Sequence, residues 1–119
     1  TELGLRVGGR QLSFDSVDIV FELKLSIQGK VIKFFLDEEM EKNVRLGHLF
    51  NIGVPLIPAE DNIILKALLR RGPDQGKFDI PDILDMAKNP LDRKYLIKRI
   101  KFYEVEEAVV PLLTELGIL

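Results

Sequence analysis

Positions 17–25 (VDIVFELKL) alternate between apolar and polar residues. Val17, Ile19, Phe21, Leu23 and Leu25 therefore share one face of a predicted strand, and Asp18, Val20, Glu22 and Lys24 share the other. Positions 26–29 (SIQG) supply turn chemistry, and 30–36 (KVIKFFL) read as the returning strand of a hairpin. Upstream, 3–7 form a further strand that Gly8-Gly9 ends. Asp37, Glu38 and Glu39 open a short helix, because acids suit a helix N-terminus. Positions 46–57 (LGHLFNIGVPLI) hold two Gly and a Pro, which leaves room only for a short strand at 52–57.

Beyond Pro58 the period becomes helical. A helix runs to Arg71, where Gly72-Pro73 stops it, and 72–76 is a loop. Asp79 is read as the N-cap of the next helix, with Pro81 in its first turn and Asp82 at N3, extending to Lys88. Asn89-Pro90 breaks it, and Asp92 caps a helix over 93–103. Positions 104–116 form the last helix, which Pro111 should kink or divide. Strands first and helices afterwards predict an α+β fold. A small mixed or antiparallel sheet comes from the N-terminal third, with about four helices packed on it. The whole chain is expected to be one domain, β-rich over 1–57 and helical over 58–119.

Composition narrows the function. The 119 residues are 46% apolar and 30% charged, an ordinary globular balance. A net charge of −2 means that any nucleic-acid role needs a local basic patch. With no Cys, thiolate chemistry and disulfides are excluded. No apolar run nears the roughly 20 residues of a membrane span, so no membrane partner is expected and the expected location is the cytoplasm.

Several groups of residues invite chemistry. Along 58–71 the apolar residues cover most of the circumference, leaving one polar stripe of Asn62, Lys66 and Arg70 at i, i+4 and i+8. A lysine on so apolar a helix either meets a phosphate or carboxylate ligand, or reaches water or a structural acid. Asp79, Asp82 and Asp85 read as a cap and as complements to the helix dipole, ahead of a metal site. His48, the only histidine, has no Cys or second His to share a zinc ion. Arg93, Lys94, Lys98, Arg99 and Lys101 cluster on one helix with Tyr95, Phe102 and Tyr103 nearby. They form either an RNA-binding patch or a solvated face paired with Glu104, Glu106 and Glu107. In the last helix Val105, Val109, Leu112, Leu113 and Leu116 are core positions, or the seam of a homodimer.

The ordered set V-P-x-x-P-A-E-D, apolar helix with a central Lys, R-x-G loop, K-x-D-x-x-D is carried by Pro58, Glu60, Asp61, Lys66, Arg70, Lys77, Asp79 and Asp82. It resembles minimal nucleotidyltransferases of the abortive-infection type and related archaeal proteins; LDRKYL at 91–96 fits as well. The resemblance implies metal-dependent transfer of a nucleoside monophosphate from an NTP to a protein or nucleic-acid acceptor, with Mg2+ held by strand-borne carboxylates. It implies Asp18 as catalytic metal ligand, Asp15 as a second metal candidate, and Lys66 and Arg70 as nucleotide contacts that share a cleft with Asp18. The Asp-x-x-Asp spacing of Asp15 and Asp18 puts them on opposite faces of a regular strand, and only a bulge between them would reunite them. Asp18 then matches the family's third acid, and the segment carrying the first two is expected upstream of Thr1, so the chain by itself is not expected to be active. The alternative is a non-catalytic interaction module, antitoxin-like or a scaffold, forming a dimer.

Overall fold

The computed structural model describes residues 6–14, 17–27, 29–49 and 52–119, and the side chains of 23–27, 29–45, 52–53 and 56–119. The fold is mixed α+β: the N-terminal third builds a sheet and the C-terminal half is helical. Two compact units divide the chain, Thr1–Asn43 and Val44–Leu119.

The first unit is a three-stranded antiparallel sheet in the order β1 (Arg6–Phe14), β2 (Val17–Ile27) and β3 (Lys30–Phe35), followed by the short helix α1 (Glu38–Asn43). Leu23 stands opposite Phe34 and Leu25 opposite Ile32. All four are buried, whereas Lys24 and Lys33, paired between them, are exposed. That is the period-two hydrophobic face expected of the hairpin. Asp37 caps α1 by accepting from the Met40 amide at 2.9 Å. One expectation is corrected here. β1 runs through Gly8-Gly9 instead of ending there, because both glycines pair with β2, at Lys24 and Leu23. The β1–β2 register also shifts between Arg10 and Gln11, which face Glu22 and Val20 and leave Phe21 as an extra residue. The side chains of Val17, Ile19 and Phe21, expected on the same face as Leu23 and Leu25, lie outside the described residues.

The second unit begins with the hairpin β4 (Arg45–Leu49) and β5 (Ile52–Leu56), then α2 (Ala59–Leu69), a 3-10 turn at Pro73–Gln75, α3 (Asp79–Met86), α4 (Arg93–Tyr103) and α5 (Glu106–Glu115). Strand β4 was not expected, because Gly47 lowers strand propensity; pairing with β5 offsets that cost. Helix α2 is the hub and packs against α3, α4 and α5. Its Ile63, Ile64, Ala67, Leu68 and Leu69 are buried, together with Ile83, Leu96, Ile100, Val109 and Leu113 from the other three helices. Asn62 and Lys66 lie at the margin of the core and Arg70 is exposed, as the polar stripe required. Asp92 caps α4 as expected, accepting from the Tyr95 amide at 3.0 Å. Helix α5 passes through Pro111 undivided. Pro111 is exposed, so the carbonyl that loses its partner one turn earlier can turn to water.

Candidate functional site

Polar residues of the ordered motif on α2 and α3 build two clusters. The inner cluster centres on Asp61. In the first turn of an apolar helix this carboxylate is wholly buried, and a buried charge is tolerated only when paired and hydrogen-bonded. Arg99, 1% exposed, donates from Nε to Asp61 Oδ1 at 2.7 Å. The Tyr103 hydroxyl donates to the same oxygen at 3.0 Å and accepts from Arg99 Nη2 at 2.7 Å. The Tyr95 hydroxyl donates to Oδ2. Burial, reinforced by the negative charge of Asp61, holds the Tyr103 phenol above its ordinary range, so it remains a donor. The Arg99 guanidinium also lies over the Phe102 and Tyr103 rings, at 4.6 and 4.8 Å from their centres. Beside this cluster the buried Glu60 accepts from the Asp92 amide at 3.2 Å. The Glu60-Asp61 pair thus fixes both the start and the buried face of α4 against α2.

The outer cluster holds Lys66. Its Nζ donates to Asp82 Oδ2 at 2.9 Å and to Asp79 Oδ1 at 3.3 Å. Asp79 is fully buried and accepts three bonds from Arg71: the backbone amide at 2.7 Å, Nε at 2.9 Å and Nη2 at 3.3 Å. Burial pushes the Asp79 carboxyl up, but the hydrogen bonds from Arg71 and the charges of Arg71 and Lys66 outweigh it and hold the carboxyl below its ordinary value. This corrects the reading of Asp79 as an N-cap. Phe78 occupies the cap position, and the Asp79 carboxylate turns back across the loop to close it onto Arg71. Asp82, 47% exposed, is the only member of the cluster that opens well to solvent.

Arg70 ends α2 in the left-handed conformation, at φ 48°. Its Nε donates to the Ala67 carbonyl at 2.7 Å, and Nη2 donates to the Ala108 carbonyl in α5. A fork of this shape is available to Arg and not to Lys. We expect Arg70→Lys to lower the unfolding free energy by about 1 kcal/mol despite keeping the charge, read from urea midpoints. Equal midpoints for the two proteins would show that the fork contributes nothing.

Asp18 stands in β2 opposite Ser13, within the stretch 17–20 that pairs with β1 alone, since β3 pairs only with 22–27. Its side chain and all of Asp15 lie outside the described residues, and the register shift at Phe21 does not fall between them. Asp18 belongs to the first unit, and Lys66 and Arg70 to the second. Among the described residues no three His, Asp or Glu side chains gather to hold a metal ion. His48 lies in β4 opposite Gly53, its side chain outside the described set. Among the described residues no helix is long and apolar enough to cross a membrane.

Two residues escaped the sequence reading. Charge alone does not separate Arg99 from the other bases of α4, although Tyr95, Arg99 and Tyr103 at i, i+4 and i+8 mark a single face with Leu96 and Ile100 beside it. Arg71 was read only as the end of a helix. Set against models of known protein families, curated proteins and solved structures, the chain matches none.

Proposed function

We propose that the chain is nucleotidyltransferase-like, with Asp18 as a ligand of a magnesium-bound NTP and the helical unit in a supporting role. The reaction class is transfer of a nucleoside monophosphate to a protein or nucleic-acid acceptor. What supports the reading is the ordered motif. Glu60, Asp61, Lys66, Asp79 and Asp82, which carry the resemblance, make the hydrogen bonds that link α2 to α3 and to α4. A magnesium ion would contribute charge neutralisation at the α-phosphate, with Asp18 among its ligands.

In this reading Lys66 and Arg70 hold helices together. A triphosphate approaching Lys66 would meet the carboxylates of Asp79 and Asp82, and Arg70 is occupied by two carbonyls. Calorimetric titration of the four NTPs with magnesium is the test. One of them is expected to bind the full-length protein, and Asp18→Asn is expected to weaken it at least about tenfold, the equivalent of ~1.4 kcal/mol. Lys66→Met should lower the melting temperature and leave affinity unchanged. Absence of binding by every NTP, or equal affinity in the Asp18→Asn protein, overturns the proposal.

The second reading is a non-catalytic interaction module forming a homodimer. It is favoured by the internal engagement of Lys66 and Arg70 and by the exposed apolar residues Val31 and Phe35 on β3 and Ile52 and Leu56 on β5. A dimer by light scattering, together with a melting temperature indifferent to NTP, would select it.

A further inference from the structure

We propose that the exposed face of α4 docks single-stranded nucleic acid, with Lys94, Lys98 and Lys101 on phosphates and Phe102 as a platform for one base. The inference stands whether or not the nucleotidyl-transfer reading holds.

Helix α4 carries five bases and no acid over Arg93–Tyr103. The structure separates them. Arg99 turns inward to Asp61, and Arg93, Lys94, Lys98 and Lys101 stay exposed. At 3.6 residues per turn, Lys94, Lys98 and Lys101 form one row, spanning about 10 Å along the axis. Ile97 borders the row on one side and Phe102 on the other, 37% and 58% exposed. Among the described residues Arg93, Lys94 and Lys101 make no ion pair, so the reading of this face as neutralised by Glu104, Glu106 and Glu107 fails for them. The protein as a whole is acidic, so this row is a local reversal of sign.

Phe102 separates a single strand from other polyanions. Its ring is oriented from beneath: Arg99 lies 4.6 Å from its centre, and Tyr103 meets it edge-on at 5.3 Å and 74°. The buried Asp61 cluster therefore holds an exposed aromatic in a defined pose beside a row of lysines. Bases stack on such a ring when unpaired, and every base has a face to offer, so affinity without sequence preference follows. A duplex keeps its bases covered, and an acidic polypeptide has none.

Fluorescence anisotropy on the 119-residue chain tests this, using a labelled oligouridylate of about a dozen nucleotides, a duplex of the same length and polyglutamate of the same charge. The single strand is expected to bind best, with a log–log salt slope of about −2 for three phosphate contacts. Joint Lys94→Gln and Lys101→Gln substitution should flatten that slope and leave the melting temperature unchanged. Phe102→Ala should weaken the single strand about tenfold and the duplex not at all. Should Phe102→Ala perturb the fold, the Phe102→Trp protein serves instead: the chain has no other Trp, and its fluorescence should quench as the oligomer binds. Undetectable single-strand binding at low salt overturns the proposal. So does polyglutamate binding as tightly as the oligomer, an unchanged affinity in a folded Phe102→Ala protein, or no quenching on binding.

Discussion

Asp61→Ala is expected to destabilise the helical unit by about 3–5 kcal/mol, the cost of leaving one member of a buried ion pair alone. The carboxylate accepts from Arg99, Tyr95 and Tyr103, and all four side chains are buried. Its removal strands a guanidinium at 1% exposure with two phenol groups beside it. A loss of that size is a large part of the roughly 5–15 kcal/mol that holds a domain together. It should appear as a fall in melting temperature on the order of 10–20 °C. The mechanism has its own check. Removing every polar member together (Asp61→Leu, Arg99→Met, Tyr95→Phe and Tyr103→Phe) should recover most of the loss, because well-packed apolar residues replace a buried pair at little cost. If Asp61→Ala melts within a degree or two of the parent, or if the fourfold variant is the less stable of the two, the cluster is not what holds α4 to α2.

Asp79→Asn should show the second-largest effect, about 2 kcal/mol at neutral pH, smaller because Lys66 and Arg71 keep some contact with water. The loss should depend on pH in a defined direction. The folded carboxyl titrates below its ordinary value of 3.8, so the folded state stabilises the charged form. That contribution is complete above the unfolded value. It fades as pH falls through the lower folded value, where protons bind both states alike. Urea unfolding of the two proteins should therefore give a constant gap from neutral pH down to about 5, narrowing below about 4. A gap that widens on acidification would mean that burial, and not Arg71, governs this carboxyl.

Local rules fared well where one residue decides an element alone. Asp92 before an apolar-periodic run and Gly72-Pro73 after one set the ends of α4 and α2 close to expectation, because a cap or a helix breaker acts on the backbone beside it. The hairpin β2–β3 was legible for the same reason: alternation and a turn are short-range signals. Partners far apart in the chain were not legible. Asp79 has the credentials of a cap, yet Arg71, eight positions earlier, takes both its oxygens. Arg99 looked like one base among five until Asp61, 38 positions away, drew it inward. Strand β4 hid because its propensity is poor and only the partner strand redeems it. Of the proposed site, Lys66 and Arg70 were rightly picked out as charges on a buried helix; what they touch depended on helices the local pattern says nothing about.

The placement of α2 has a practical consequence for anyone dissecting this polypeptide. Each of the three later helices leans on that one rod, and α3 has its principal packing with no other element. Excised pieces starting after Leu69 would lose the common wall they share and collapse without order. A shortened version that retains its shape must begin before Ala59 and continue through Leu113.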